Sequence, residues 1–245
     1  MRRSLLCVIA AVFYLGLAGT AAIAGKNVVK EPLQTIEATP LLVSPLSPNQ
    51  DCQVGNLNPP GWSINGFLYP PEAYKLVFDP STCTVCPLGI QVTGVHILLL
   101  TAEATTIVMA VDVEEAVYAS PGCPSPGPEL CASPLYSVSI PAGGLWDVGL
   151  PISCNCLAPV GRYLLSVHFE SVSNASGTIP GLITDAGPAL LCTNWNNYGF
   201  GWYDLLAAYP DWPGNLNIYA DVECCTPPVP VEEHSWGQIK ALYRN

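Results

Sequence analysis

Positive charge is the scarcest feature of this chain. Its 245 residues contain eight Lys and Arg against nineteen Asp and Glu, which gives a formal net charge of -11. Nucleic-acid binding depends on clustered Lys and Arg that displace counterions from phosphates, and no such cluster occurs. The composition therefore argues against a nucleic-acid partner, and the acidic surface is expected mainly to keep the protein soluble.

Motifs of the common catalytic and nucleotide sites are also missing. The chain has no G-x-S-x-G elbow, no H-E-x-x-H, no P-loop and no G-x-G-x-x-G after a strand. Of the three histidines, His96 is predicted to be hydrogen-bonded and partly buried, His168 to be solvated, and His234 lies near the C-terminus. No catalytic residue and no cofactor is therefore assigned. A hydrolase that uses two carboxylates stays open, because sequence does not reveal the separation of Asp and Glu in space.

Helical periodicity is nearly absent from the body of the chain. Half of the residues are hydrophobic, and 25 prolines and 21 glycines divide them into short runs, as in domains built from strands and turns. These features predict an all-β, antiparallel β-sandwich that is jelly-roll-like, with an immunoglobulin-like topology as the alternative. Strands are expected within residues 62–69, 74–78, 90–117, 135–140, 145–150, 162–170, 182–185, 201–205 and 216–222.

Residues 90–117 contain the most regular pattern. From Ile107 to Val113 every second residue is a large apolar one, which predicts a strand with one buried face. Residues 95–100 are apolar on both faces and predict a central strand. We expect these two strands to form a hairpin in the core, with Asp112, Glu114 and Glu115 at a solvated edge. Calcium is the alternative for these carboxylates, but no D-x-[DN]-x-[DN]-G loop supports it.

The ends of the chain differ in composition from its centre. Residues 1–24 combine Arg2 and Arg3, an apolar run and an Ala-Ile-Ala cleavage site, the three parts of a secretory signal peptide. Its removal predicts a secreted or cell-surface protein without a membrane span. The expected domains are a signal peptide (1–24), a flexible leader (25–50), a β-sandwich domain (51–225), a Pro-rich spacer (226–234) and an amphipathic tail (235–245).

Ten cysteines remain after cleavage of the signal peptide. An even number in an oxidising compartment predicts up to five disulfides. Cys123 and Cys131 enclose a short Pro/Gly-rich loop and are expected to pair, whereas the neighbours Cys224 and Cys225 should bond to different partners. A zinc site is the alternative, but the C-x-x-C spacing occurs only once and no metal is assigned. The ten are Cys52, Cys83, Cys86, Cys123, Cys131, Cys154, Cys156, Cys192, Cys224 and Cys225.

The C-terminal tail has a pattern of its own. Residues 235–238, Ser-Trp-Gly-Gln, form a capping-box pattern, and apolar residues recur after it at helical spacing. This predicts a short amphipathic helix on the Pro-rich spacer. The residues of its apolar stripe are Trp236, Ile239, Leu242 and Tyr243.

The tail also carries a family resemblance. Residues 235–244, Ser-Trp-Gly-Gln-Ile-Lys-Ala-Leu-Tyr-Arg, resemble the tails of uncharacterised secreted Cys-rich β-domain proteins of environmental bacteria. The bodies of those proteins have runs similar to residues 92–95 and 195–198 of this chain. The resemblance implies export and a tail that serves sorting or attachment. Docking of the tail on its own domain is the alternative.

A ligand site is predicted in residues 194–213, where seven of twenty residues are aromatic. A ring can stack on the apolar face of a sugar while Asn and Asp bind its hydroxyls, so the predicted ligand is a glycan or surface polymer. The alternatives are rings that fill the core, an assembly subunit of the cell envelope and, third, a glycan hydrolase. On one strand Trp202 and Tyr203 would point to opposite faces, so only one should be exposed. The candidate residues are Trp195, Asn197, Tyr198, Trp202, Tyr203 and Asp204.

Overall fold

The computed structural model describes residues 29–32, 39–42, 52–120 and 122–226. The signal peptide, most of the spacer, and the tail with its apolar stripe lie outside the described residues, as does His234. The strands are β1 (Val29–Pro32), β2 (Thr39–Leu42), β3 (Cys52–Gly55), β4 (Pro60–Asn65), β5 (Glu72–Phe78), β6 (Ile90–Thr101), β7 (Thr105–Glu115), β8 (Val117–Ser120), β9 (Cys123–Ser125), β10 (Glu129–Ala132), β11 (Tyr136–Ile140), β12 (Gly144–Pro151), β13 (Tyr163–Asn174), β14 (Gly181–Asp185), β15 (Asn194–Asn197), β16 (Tyr203–Asp204) and β17 (Ile218–Cys224). A 3-10 turn spans Pro80–Thr82, and one short helix, α1, spans Leu205–Ala208.

Two sheets pack face to face. The eight-stranded sheet has the order β1-β4-β14-β6-β12-β2, with β17 between β6 and β3. The seven-stranded sheet has the order β10-β7-β13-β5-β15-β16, with β11 also on β7, and β8 and β9 form a separate hairpin. All pairs are antiparallel except β2 with β12. Because the chain changes sheet repeatedly between β5 and β17, the predicted antiparallel, jelly-roll-like sandwich is confirmed.

The predicted hairpin of residues 90–117 is wrong. Strand β6 pairs with β12, β14 and β17, whereas β7 pairs with β10, β11 and β13 in the opposite sheet. The short connection after Thr101 crosses the sandwich, so the apolar faces of β6 and β7 meet across the core instead of pairing edge to edge. Both strands bury a complete apolar face in this way, and this gives a larger hydrophobic gain than pairing the two strands edge to edge.

The buried faces follow the predicted alternation. On β7 the residues from Ile107 to Val113 that face inward are at most 1% exposed, and the inward residues of β13 from Tyr163 to Phe169 are at most 8% exposed. Leu164 and Ser166 of β13 point to the opposite face and are also fully buried. The outer face of the seven-stranded sheet is therefore covered by a further layer, which is where the candidate site lies.

Part of the leader contributes to the sheet. Strands β1 and β2 occupy the two edges of the eight-stranded sheet, beside β4 and β12. These eight residues lie within the segment predicted as a flexible leader (25–50), and the rest of that segment lies outside the described residues. The edges of β4 and β12 offer unpaired backbone groups, and an edge position tolerates the prolines Pro32 and Pro40 that a central strand would exclude.

All ten cysteines form disulfides, as predicted, but the Cys123–Cys131 pairing is wrong. Cys123 opens β9 of the separate hairpin, and Cys131 lies on β10 of the seven-stranded sheet, so the loop between them does not close on itself. Cys224 and Cys225 do bond to different partners. The pairs are Cys52–Cys83, Cys86–Cys224, Cys123–Cys192, Cys131–Cys154 and Cys156–Cys225.

Titration with a thiol reagent of the protein without residues 1–24, the predicted signal peptide, is expected to find no free sulfhydryl under denaturing, non-reducing conditions. The five disulfides use every cysteine from Cys52 to Cys225, and the eleventh, Cys7, lies within the predicted signal peptide. The same sample after reduction is the control and should release ten thiols. Four or more free thiols before reduction would contradict the disulfide pattern and favour zinc.

Candidate functional site

The outer face of the seven-stranded sheet carries a row of polar residues directly opposite one another. Asp112 on β7, Ser166 on β13, Lys75 on β5 and Trp195 on β15 are successive cross-strand partners. All four are at most 9% exposed, although they point away from the core. Buried polar groups on the outside of a sheet are unusual, because that face normally meets water.

An ion pair and a histidine–carboxylate contact join the side chains of this buried polar row, which forms the floor of the candidate site. The Lys75 ammonium contacts the carboxylate of Glu114, and His168 Nε2 contacts Asp112 Oδ2. Burial raises the pKa of Glu114, and the Lys75 ammonium and the backbone N–H of Gly127 offset part of that rise. The predicted solvated edge is therefore wrong for Asp112 and Glu114, because a second layer covers them.

The exposure of His168 and Glu115 can also be compared with prediction. His168 was predicted to be solvated, but its side chain is 34% exposed and is held by Asp112. Glu115 is exposed, as predicted. Strand β7 thus passes from a covered to a solvated environment over its last residues.

Trp202 forms part of the cover. The Lys75 ammonium lies 3.8 Å from the centre of the indole ring, a cation–π contact. The loop between β15 and β16 that carries Trp202 has Gly199 and Gly201 at φ of 101° and 108°, a conformation that glycine adopts without strain. Asn197 Oδ1 accepts a hydrogen bond from the Gly199 N–H at 2.8 Å. The loop therefore presents a half-buried indole at a defined position.

A groove of about 210 Å³ opens beside the indole. Trp202 and Asn197 line it from the β15–β16 side, and His168, Glu170 and Glu72 line it from β13 and β5. The groove thus combines the indole of Trp202, the amide of Asn197, the imidazole of His168 and the carboxylates of Glu72 and Glu170. This composition can accept an apolar face and several hydrogen-bond donors.

Several buried polar atoms on the outer face of the seven-stranded sheet lack a hydrogen-bond partner, although their residues do not line the groove. Among the described residues, Asp112 Oδ1, Glu114 Oε2, Ser166 Oγ and Trp195 Nε1 are in this state, and all four lie on the outer face of the seven-stranded sheet. Native proteins contain few such atoms, so a concentration of them in one place marks a site where water or a ligand completes the bonding.

The structure brings only two of the six predicted ligand residues into the groove, Asn197 and Trp202. Trp195 is 9% exposed and belongs to the buried row on the outer face of the seven-stranded sheet. Asp204 caps helix α1, because its side chain accepts hydrogen bonds from the N–H groups of Ala207 and Cys192. The role of Asp204 in the structure is therefore that of a cap.

The other two predicted residues form a separate aromatic cluster. Tyr198 and Tyr203 stack with ring centres 5.4 Å apart, and Phe200, 80% exposed, packs edge-on against Tyr198. Trp202 precedes β16 and lies outside a regular strand, so strict alternation does not apply, and Trp202 and Tyr203 are both half-buried. This cluster is the second place where a ring could meet a ligand.

Sequence reasoning missed Lys75, His168 and Glu170. His168 and Glu170 alternate with the apolar residues of β13, and this alternation predicts only that they lie on the face opposite the core. A signal existed in Lys75, one of only two Lys and Arg between residues 52 and 226, which lies within an otherwise apolar strand. A lone lysine at such a position suggests a buried ion pair.

A second polar cluster lies on the outer face of the eight-stranded sheet and is structural. His96 bonds to Asp147 through Nδ1 and to Asp221 through Nε2, both at 3.0 Å, and its ring stacks on Tyr219. Burial lowers the pKa of His96, but the hydrogen bonds to the two carboxylates outweigh it and raise the pKa to about 9. The prediction of a hydrogen-bonded His96 is confirmed, and no ligand is needed to explain the cluster.

The predicted zinc alternative is not realised. Among the described residues, one group has metal-binding atoms in mutual reach, the sulfur atoms of Cys52, Cys83 and Cys86 within 4.8 Å. These sulfurs belong to the disulfides Cys52–Cys83 and Cys86–Cys224, and a disulfide has no thiolate to offer a metal.

Comparisons with known proteins give a family and a loose fold likeness. Residues 48–222 match the family described as "Domain of unknown function (DUF7451)". No curated protein matches the chain. The described residues contain no helix with the length and apolar character needed to cross a membrane.

Two solved structures are similar at 14% identity. The cysteine protease and lectin-like domains of Cwp84, a surface layer associated protein of Clostridium difficile, match over 67% of this chain and 33% of that one, with a TM-score of 0.42. A clostridial Cwp84 cysteine protease after propeptide cleavage matches over 64% and 37%, with a TM-score of 0.37. The chain thus spans little more than a third of these structures at most, and scores this low carry no functional argument.

Proposed function

The chain belongs to the DUF7451 family, and we propose that it is an exported, non-catalytic module that binds a glycan or surface polymer in the groove beside Trp202. The observation that carries this proposal is the half-buried indole of Trp202, which borders a groove lined by an amide and carboxylates. Lys75 occupies one face of the ring, so the remaining surface of the indole is what a ligand can meet.

A sugar suits this combination for physical reasons. The C–H face of a pyranose stacks on an aromatic ring, and its hydroxyls donate to carboxylates and exchange hydrogen bonds with an amide. Asn197, His168 and Glu170 provide such partners on the sides of the groove. The contacts Lys75–Glu114 and His168–Asp112 hold their side chains in place, so binding requires little reordering of side chains.

Export is part of the proposal. Five disulfides are consistent with an extracellular location, because disulfides persist in oxidising compartments. Residues 1–24 act as the signal in this proposal, and the tail at 235–245 holds the module at its place of action.

A role as an assembly subunit of the cell envelope is the second candidate. Tyr118, Leu190 and Leu191 are each more than half exposed and line a groove of about 630 Å³ at another part of the surface. Grouped exposed apolar side chains of this kind are typical of protein contacts.

Replacing Trp202 with alanine is expected to weaken retention on glycan arrays at least tenfold, about 1.4 kcal/mol. The variant removes the ring that borders the groove while keeping the Lys75–Glu114 pair. Phe200→Ala is the matched control, because it removes an aromatic ring from the same loop that does not line the groove. Retention should be measured with folded protein, checked by thermal melting.

The outcomes separate the candidates. Equal retention by parent protein and Trp202→Ala, with loss in Phe200→Ala, moves the site to the Tyr198–Tyr203 cluster and refutes the groove. No retention by the parent on any glycan, together with concentration-dependent oligomers in sedimentation, favours the assembly subunit. Release of shortened sugars from a retained glycan contradicts the non-catalytic part of the proposal, and Glu72 and Glu170 would then be the carboxylates to test.

A further inference from the structure

The distribution of charge restricts which glycan the groove can take. Between residues 52 and 226 there are fourteen Asp and Glu but only two Lys and Arg, Lys75 and Arg162. Both cations are already paired, Lys75 with Glu114 and Arg162 with Asp79 at 3.5 Å. The β-domain therefore has a strongly negative field and no unpaired Lys or Arg among its described residues to receive an anionic ligand.

The residues that line the groove are also more acidic than basic. Glu170 is exposed on its wall and makes no ion pair with another described residue, and Glu72 lies beside it. The cationic candidate on the wall, His168, is bound through Nε2 to Asp112. A ligand with carboxylates or sulfates would enter without a counter-charge and next to carboxylates.

The buried carboxylates on the outer face of the seven-stranded sheet add to this imbalance. Asp112 is 4% exposed and Glu114 is 8% exposed, and each has one carboxylate oxygen without a hydrogen bond. Asp112 is joined directly to the groove wall through His168. An ionised carboxylate oxygen accepts hydrogen bonds and cannot donate them, so these atoms offer nothing to an anionic ligand.

From these observations we propose that the natural ligand is a glycan bearing free amines, such as a polymer of glucosamine units, rather than a neutral or acidic one. This inference rests on the proposed glycan-binding function. Trp202 stacks on the sugar face, and the exposed carboxylate of Glu170 attracts the ammonium. Neutral N-acetylated units keep the stacking contact but lose the charge attraction.

The test compares four probes of matched length on the parent protein by calorimetry at mildly acidic pH, where amines are protonated. The probes are oligomers of glucosamine, of N-acetylglucosamine and of galacturonate, and polylysine as a cation without a sugar. We expect the glucosamine oligomer to bind at least tenfold more tightly than its N-acetylated counterpart, with a loss of affinity as salt rises. The galacturonate oligomer should show no binding.

Two variants test whether the preference for free amines arises in the groove. Glu170→Gln should weaken glucosamine binding fivefold or more and leave weak N-acetylglucosamine binding unchanged. Glu129→Gln makes the same change of charge at an exposed position of β10 outside the groove and should change neither affinity. Equal losses in both variants would overturn the proposal, because they would mean that only the overall negative charge matters.

The remaining outcomes are distinguishable. Equal or tighter binding of the N-acetylated or galacturonate oligomer overturns the amine preference but leaves glycan binding intact. Polylysine that binds as tightly as the glucosamine oligomer, with no effect of Trp202→Ala, also overturns it and assigns the interaction to basic proteins. Failure of every sugar probe refutes the proposed function and this inference together.

Discussion

Replacing His96 with leucine is expected to lower the free energy of unfolding by about 3–5 kcal/mol at neutral pH, among the largest effects of any single substitution. His96 is 2% exposed and lies between Asp147 and Asp221, and Asp221 is itself 1% exposed. The leucine fills a similar space but leaves Asp221 buried with only its hydrogen bond from Gln53 for side-chain compensation. Urea denaturation of both proteins measures the difference.

The pH dependence of the parent protein provides the independent check. In the unfolded chain His96 has a pKa near 6.5, and in the folded protein its pKa is about 9. Since the folded state holds the proton more tightly, the stabilisation is complete below pH 6.5 and is lost as the pH rises through about 9. The loss amounts to about 3 kcal/mol at the upper end.

His96→Leu and Gly149→Ala test whether the charged imidazole of His96 causes the loss of stability at high pH. His96→Leu should lack the decline between pH 6.5 and 9 that the parent shows. Gly149→Ala tests the same cluster without removing a charge, because a Cβ at Gly149 would lie 2.6 Å from Cε1 of His96 and displace the ring. A parent protein whose stability is flat over this pH range would contradict the assignment of a charged His96.

Replacing Lys75 with methionine is expected to cost about 3–5 kcal/mol at neutral pH, because it leaves the Glu114 carboxylate buried without its cation. Lys75 is 1% exposed, and methionine retains most of its packing beneath Trp202. The effect should be smaller at acidic pH, since protonation of Glu114 removes the unpaired charge. Chemical denaturation at two pH values measures both parts.

The double variant Lys75→Met/Glu114→Leu is the control for this prediction. Removing both charges together should restore much of the lost stability, because two apolar side chains of similar volume replace a buried ion pair at little cost. If the double variant loses as much free energy of unfolding as the two single variants together, Lys75 and Glu114 do not interact and the proposed ion pair is wrong. An unchanged stability in Lys75→Met would contradict it equally.

Local alternation was sufficient to predict the strands but not their partners. The apolar residues of β7 from Ile107 to Val113 were assigned to the core correctly, because a period of two depends only on neighbouring positions. Whether β6 pairs with β7 or faces it across the core depends on β12, β14 and β17, and the last of these pairs Cys224 with Ile90, 134 residues away along the chain. The Cys123–Cys131 error has the same origin, since Cys123 reaches Cys192 over a separation of 69 residues.

The candidate site was harder to predict because it depends on a second layer. Aromatic composition alone indicated the loop of Trp202 and Asn197, which does border the groove. The same composition included Trp195, which is buried, and Asp204, which caps a helix. Asp112 was predicted to be solvated because alternation along one strand does not show what packs on its outer face, where Asp112 is 4% exposed and contacts His168 of β13.

The disulfides at the two ends of the β-domain determine how it responds to a pull. From Cys52 a covalent path runs through the disulfide to Cys83, along residues 83–86, and through the disulfide of Cys86 to Cys224. Tension applied between residues 52 and 224 therefore passes along a path of four main-chain residues and two sulfur bridges, and the sequence between Cys86 and Cys224 stays out of the load. Strand β3 also pairs directly with β17 at this place. Under such tension the strands that form the groove would carry no load while the two disulfides stay oxidised, and reduction of the disulfides would transfer the force to the fold.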